Sequence, residues 1–371
     1  MKKWFLALGM LALAGTASAR MITDVAGRQV EVPQEAKRII LGEGRQIYLL
    51  AAFDTDAPFS RVIGWRDDLP KADWDGYQAY EKRYPEIKKL PTFGGAKDGT
   101  FNVEQALTLK PDLVLMNLES KAATDEGKLI EKLQAVGVPV VFIDFREAPF
   151  VNAEKSIRIM GELVNKPARA QAIIAFRQQQ IERVTSRLKN FTGYRPKVMI
   201  DRAGGYSDEC CMSFGSENFG QMVEIAGGRN IAKGVIPGTF GTLNPEQIIA
   251  SQPDVVVVTG ANWKNYNTVG KWVGVGPGAN VTEATARLKA LMTRDAFKTL
   301  PVAHNGHVHA IWHQFYDSPY QFVAIQALAK WLHPDLFADL DPDATFREFH
   351  EKFLPLPYQP GYWVTLPADK P

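Results

Sequence analysis

The side chains in this sequence best suited to holding a ligand are cations and aromatics that follow predicted strands. The first half supplies Arg45, Trp65, Arg66 and Lys97. The second half supplies Arg202, Tyr206, Trp263, Tyr266, Trp312, His313 and Tyr316. Guanidinium and ammonium groups bind oxygen anions through charge-assisted hydrogen bonds, and Trp and Tyr rings pack against flat groups. The set suits a bulky, anionic, partly apolar ligand that is held rather than transformed. Several members have competing local roles. Trp65 and Trp312 could be core residues at strand ends. Arg45 could cap its own helix or pair with Glu43, and Arg202 could pair with Asp201 or Asp208.

Catalytic and phosphate-binding signatures are missing. No G-x-S-x-G elbow, H-E-x-x-H pair or G-x-x-x-x-G-K-[ST] loop is present. Gly274-Val-Gly276-Pro-Gly278 resembles a phosphate loop only superficially; it follows no strand, contains a proline and reads as a turn. The histidines all lie in the second half, and His307, His309 and His313 occupy alternate positions along or just past a predicted strand, where they would share one face. A bare zinc or manganese site would draw nitrogen and oxygen ligands from two lobes, so these histidines alone argue weakly for one. No enzyme, metal centre or resident cofactor is expected.

The elements that must position these residues alternate. Strands are predicted over 38–41, 61–64, 139–143, 197–200 and 307–311. Helices are predicted over 45–53, 121–136, 152–164, 218–226, 319–332 and 346–353. Residues 25–33 read as a hairpin around Gly27, residues 202–218 and 260–283 as loops, and the proline-bearing tail after Leu354 as a surface segment. This rhythm predicts α/β architecture with doubly wound parallel sheets. In such sheets ligands bind outside the carboxyl ends of the strands, where the cations and aromatics lie. Pro167 opens a helical pattern reaching about Asn190 without an interior Gly or Pro. At about 1.5 Å per residue it spans roughly 35 Å, a rigid strut between two lobes.

Two stretches support the division into two lobes. Asn102-Val-Glu-Gln-Ala-Leu-Thr-Leu-Lys-Pro-Asp-Leu-Val-Leu115 and Asn244-Pro-Glu-Gln-Ile-Ile-Ala-Ser-Gln-Pro-Asp-Val-Val-Val257 match without gaps at Asn, Glu, Gln, Pro, Asp and one Val. In each, Asn is a helix N-cap, Glu lies in the first turn, Pro ends the helix and an apolar run suits a strand buried on both faces. The expected organisation is a leader over 1–19, an N-terminal lobe over 20–150 and a helical connection over 151–192. A C-terminal lobe over 193–335 and a closing helix and tail over 336–371 follow.

The leader reading rests on a basic start at Lys2 and Lys3, a short apolar run and Ala17-Ser18-Ala19, the pattern of a secretory signal cut after Ala19. Removing Lys2 and Lys3 brings the 43 basic residues to parity with the 41 acidic ones. Near-zero net charge argues against bulk attraction to nucleic acid or anionic lipid. The only cysteines, Cys210 and Cys211, could form a vicinal disulfide or remain thiols.

These features together resemble the periplasmic substrate-binding proteins of ATP-binding-cassette importers for iron-siderophore, haem and cobalamin. The resemblance includes Phe214-Gly-Ser-Glu-Asn218, Gly227-Gly-Arg-Asn-Ile231 and Phe349-His-Glu-Lys-Phe353. It implies a monomer in the periplasm with its ligand between the lobes. It also implies that Glu104 and Glu246 dock on arginines of a permease dimer served by an ATPase, so that the membrane is reached only through the permease. A ferric siderophore is the expected ligand, with Lys97 standing where related hydroxamate binders carry an arginine. Haem or cobalamin is the alternative, and for haem Tyr206, His313 and Tyr316 are the candidate axial ligands.

Overall fold

A computed structural model describes residues 19–370. The predicted leader therefore lies outside the described residues except for Ala19, which opens the first strand. That strand, β1 (Ala19–Thr23), pairs antiparallel with β2 (Gln29–Pro33). The hairpin docks on the first lobe's sheet: Arg28 donates to the carbonyl of Val140 at 3.1 Å, and Asp24 accepts from the amide of Phe142 at 3.3 Å.

The first lobe holds a five-stranded parallel sheet. Its strands are β3 (Ile39–Leu41), β4 (Val62–Arg66), β5 (Thr92–Phe93), β6 (Leu113–Asn117) and β7 (Val140–Ile143). They lie in the order β5-β4-β3-β6-β7. The chain winds outward from β3 in both directions, so the order reverses between β3 and β6. Every residue of β3, β6 and β7 is buried, as expected of parallel strands covered on both faces.

The second lobe repeats the plan with β8 (Lys197–Asp201), β10 (Arg229–Asn230), β12 (Val255–Gly260) and β13 (Val308–Trp312), all parallel. The final strand, β14 (Trp363–Leu366), pairs antiparallel with β13. The order is β10-β8-β12-β13-β14, reversing between β8 and β12. A two-stranded ribbon, β9 (Met212–Phe214) with β11 (Phe240–Thr242), stands beside it.

The long helix Pro167–Leu188 joins the lobes. Its Ile173, Phe176, Val184 and Leu188 are buried, and Phe176 packs on Phe322, Phe349 and Phe353 of the second lobe. Arg177, buried on the same helix, donates to the Pro319 carbonyl and to Gln321 (3.0 Å). One apolar core runs from the first sheet through these helices into the second lobe, so lobe motion is limited to what this packing allows.

The twin stretches do matching work. Asn102 caps the helix Val103–Thr108 by accepting from the amide of Gln105 at 2.9 Å, and Asn244 caps Pro245–Ser251 by accepting from that of Glu246 at 2.9 Å. Both helices stop at a left-handed residue before proline, Lys110 and Gln252. Each following aspartate then clamps the start of a central strand. Asp112 accepts from the amides of Lys37 and Arg38 (2.8 and 3.0 Å), and Asp254 accepts from that of Lys197 (2.8 Å). Asn244→Ala is expected to lower stability by about 1 kcal/mol, read as a shift in the urea midpoint; an unmoved midpoint would show the cap to be redundant.

Four expectations need correction. The tail after Leu354 is not wholly a surface segment, because β14 completes a sheet edge. Residues 202–218 are not all loop, because β9 lies within them. The helix expected over 121–136 is broken into Lys121–Glu126 and Leu129–Gln134 at Lys128, whose φ is 51°. The helix expected over 45–53 is one turn, Ile47–Leu50, after a 3-10 turn. Residues 69–91, left unassigned above, contain the helices Leu69–Ala72 and Trp74–Arg83.

Candidate functional site

The carboxyl ends of both sheets face one another across the gap between the lobes. At the first switch point β3 delivers Glu43 and β6 delivers Asn117, whose amide donates to Glu43 at 2.8 Å and accepts from Gln46 at 2.9 Å. Gly44 follows Glu43, and its amide donates to Asp68 at 2.5 Å. A Cβ here would lie 2.7 Å from the Arg66 carbonyl, so the turn admits only glycine without a shift.

Two buried arginines then join the lobes. Arg45 is held by Asp68 (2.8 Å) and Glu43 (3.4 Å) of its own lobe, and reaches the Tyr316 hydroxyl (2.8 Å), Gln314 (3.3 Å) and Asp317 (3.4 Å) of the other. Arg146 pairs with Glu43 at 2.7 Å, with Glu119, and with Asp317 across the gap. The backbone of Arg146 is fixed separately: Asp144 accepts its amide at 2.8 Å, and Asn218 of the second lobe donates to its carbonyl at 2.6 Å. Burial alone would raise the Glu43 carboxyl, but Arg146 and then Arg45 outweigh it and hold it near 2. For Asp317 burial wins over the same two arginines, and the carboxyl is pushed up to about 6. The terminal nitrogens of Arg45 and Arg146 thus reach carboxylates of both lobes, while the Arg146 Nε has no partner among the described residues, and the pair works as an interlobe clasp.

The remaining cations are differently placed. Arg66 is partly exposed and makes only long pairs, 3.6 Å to Glu43 and 3.5 Å to Asp98. Lys97 is largely exposed, 3.9 Å from Glu119. Arg202, at the end of β8, has no carboxylate within 4.0 Å among the described residues. Asp201 is taken by Arg294, and Asp208 by Lys271 at 3.2 Å. The Arg202 side chain makes one long contact to the Met212 sulfur at 4.0 Å, and its buried Nε has no partner. Its plane rests 4.0 Å from the Phe240 ring centroid and 5.6 Å from that of Phe214. Burial lowers its affinity for a proton.

The aromatic candidates divide. Tyr206 and Tyr266 are exposed and close to each other, and Tyr206 also packs edge-on against Trp263 at 5.4 Å. Trp263 is buried and donates to the Ala72 carbonyl of the first lobe at 2.9 Å, so it zips the lobes together. His313 sits beneath, bonded through Nδ1 to Thr259 (2.9 Å) and packed on Tyr316 and Trp263. Burial, with the positive charges of Arg202, Arg45 and Arg146, keeps His313 neutral. Trp65 is 3% exposed and packs on Phe59. Trp312, 2% exposed, packs between Tyr48 and Tyr362. The three alternating histidines do not converge: His309 stacks on Trp331 at 4.2 Å and bonds Thr365, while His313 belongs to the gap. Among the described residues no three His, Cys, Asp or Glu side chains form a metal-holding group. Cys210 and Cys211 are joined as a vicinal disulfide.

Glu104 and Glu246 are exposed in the first turns of their capped helices. Neither has an ion-pair partner among the described residues.

Comparison with known proteins accounts for this plan. The profile described as "Periplasmic binding protein" matches residues 66–313. The chain belongs to the periplasmic binding protein family. A TroA-like periplasmic binding protein, FepB, from Veillonella parvula superimposes with a TM-score of 0.84 at 27% identity, covering 93% of this chain and 99% of that one. The molybdate-binding protein MolA of Haemophilus influenzae is 23% identical over 92% of each chain. A vitamin B12-binding protein of Pectobacterium atrosepticum is 26% identical over 62% of this chain and 76% of its own. These periplasmic binding proteins differ in the ligands their names record. The shared scaffold therefore does not by itself name a ligand. No helix among the described residues of this periplasmic binding protein is long and apolar enough to cross a membrane.

Of the clasp, the sequence offers only the Arg45–Glu43 pair. Asp68, Glu119, Arg146 and Asp317 each follow a strand and Asn117 ends one, as the cations of the candidate set do, and that position is the signal that could have found them.

Proposed function

We propose that the protein captures a ferric siderophore complex between its lobes and delivers it to an ATP-binding-cassette permease through Glu104 and Glu246. Export by cleavage after Ala19 and action as a periplasmic monomer belong to the same reading. The observation that carries the ligand class is Arg202, a partly buried guanidinium at the end of β8 with a buried, unpartnered Nε and no carboxylate within 4.0 Å among the described residues. Such a group is costly unless an anion satisfies it. Arg66 and Lys97 on the opposite lobe offer further donors, and Tyr206, Tyr266 and Phe240 offer exposed rings. Together they suit anionic chelate oxygens and the flat groups that carry them.

A small oxyanion is less well served, because the inner arginines already hold four carboxylates. Haem is the second reading, favoured by one observation. Tyr316 is taken by Arg45 and His313 by Thr259, which leaves exposed Tyr206 as the axial candidate.

Quenching of tryptophan fluorescence by ferric catecholates, hydroxamates and carboxylates, haemin, cyanocobalamin and molybdate tests these readings. A ferric siderophore is expected to bind, and Arg202→Ala to weaken it by about 10- to 100-fold, the worth of hydrogen bonds to a charged group. Binding of molybdate or cyanocobalamin with no response to any ferric siderophore would overturn the proposal.

A further inference from the structure

A cavity of about 320 Å³ lies on a flank of the molecule, between the helix Trp74–Arg83 of the first lobe and the helix Pro342–Phe353 with the tail of the second. It shares no lining residue with Arg66, Lys97, Arg202, Tyr206 or Tyr266. Its wall is aromatic: Tyr48, Tyr80, Trp312, Tyr320, Phe346 and Tyr362. These rings pack on one another, as in Tyr48 with Trp312 at 5.6 Å and Tyr320 with Phe346 at 5.3 Å. The wall is therefore stiff and presents itself without rearrangement.

Among the polar groups of the lining, Asp73 and His350 offer buried acceptors. Asp73, 1% exposed, accepts from the Tyr48 hydroxyl at 2.7 Å and from the Gly76 amide at 3.2 Å. The Trp312 indole N–H also lies close to this carboxylate, which leaves room for about one further donor. No cation pairs with it among the described residues. Burial pushes its carboxyl up to about 6, so it is ionised at neutral pH. His350, 8% exposed, uses Nδ1 on the Leu356 carbonyl at 2.9 Å, which makes Nδ1 the protonated nitrogen. Its Nε2 is then a buried acceptor with no partner. Burial keeps this ring neutral, near 4.

We propose that this pocket is a second small-molecule site, and that it takes a primary or secondary ammonium group carried on an apolar body. The aromatic rings supply cation–π attraction and apolar contact, while Asp73 and His350 Nε2 accept the ammonium hydrogens. Lys82 and Arg83 also line the cavity, but both are exposed, so solvent and salt screen their repulsion. Both lobes line the pocket, so an occupant would bridge them independently of the ligand in the gap.

Isothermal titration of the full mature protein with tyramine at pH 7.5 tests the site, with 4-propylphenol as the uncharged counterpart of equal shape. Tyramine is expected to bind about tenfold or more tightly than 4-propylphenol, a difference of about 1.4 kcal/mol. Asp73→Asn should remove that preference and leave 4-propylphenol unchanged, and Ala79→Trp, at the lining, should block both. Arg202→Ala should leave tyramine binding intact, which separates this site from the proposed siderophore site. Equal affinity for the two probes, or no heat from tyramine at millimolar concentration, would overturn the proposal. If Asp73→Asn loses its fold, because Asp73 also caps a helix, the probe ratio and Ala79→Trp still decide.

Discussion

Replacing Glu104 and Glu246 together by alanine is expected to abolish transport while leaving the ligand Kd unchanged. Each carboxylate lies in the first turn of a short helix capped by an asparagine, at the same place in each lobe. Both are exposed and neither is spent on an ion pair among the described residues. A capping role falls to the asparagines, since Asn102 and Asn244 each accept a first-turn amide. Dipole stabilisation by an exposed glutamate contributes about 0.3–1 kcal/mol and would explain neither the exposure nor the repetition. Buried at a permease surface, each charge pair would be worth about 2–5 kcal/mol on truncation. Two such losses weaken docking by about a thousandfold or more. The measurement is uptake of labelled ferric siderophore, with ligand stimulation of the transporter's ATPase in proteoliposomes as a second readout. Single alanine variants should retain partial uptake. Normal uptake by the double variant would remove docking from the role of these residues.

The parts of the fold that were legible in the sequence are those whose physics is local. The twin stretches announced themselves through caps, prolines and β-branched runs, and Pro167–Leu188 through uninterrupted helical spacing. The missed elements depend on distant partners. β14 is four residues in a proline-bearing tail and exists because β13 offers it an edge. β9 is three residues, held by β11. The same division runs through the site. Partly exposed Arg66 at the end of β4, and exposed Lys97, Tyr206 and Tyr266 in loops, were visible as residue types at or beyond strand ends. Of the carboxylates that claim Arg45, only Glu43 is its neighbour in sequence and was visible as a partner; Asp68 and Asp317 come from after β4 and β13. Asn218 shows this most plainly. It adopts a φ of 54° in order to donate to Arg146 and Tyr316 carbonyls, and both partners lie far away in sequence.

Arg146→Ala is expected to destabilise the protein by about 3–5 kcal/mol at pH 7.5, the usual cost of removing one partner from a buried charge cluster. Of the cations among the described residues, Glu43 would keep Arg45 at 3.4 Å and Arg66 at 3.6 Å, Asp317 would keep Arg45 at 3.4 Å, and Glu119 would keep Lys97 at 3.9 Å. The backbone at 146 should hold, since Asp144 and Asn218 grip it without the guanidinium. Arg146→Lys should recover only part of the loss, because an ammonium cannot fork to three carboxylates. Asp317→Asn in the Arg146→Ala background should recover more, by removing the anion stranded on the second lobe. The pH dependence follows from the same groups. Asp317 binds its proton more tightly folded, near 6, than unfolded. Its contribution to stability is therefore present at low pH and lost as the pH rises through about 6. Without Arg146 that carboxyl rises further, since Arg146 is the largest influence holding it down. The deficit of Arg146→Ala should therefore narrow between pH 7.5 and pH 5, measured by urea unfolding at each pH. A deficit that is absent at pH 7.5, or that widens on acidification, would show that these carboxylates are not stranded when the arginine is lost and that the lobes are clasped elsewhere.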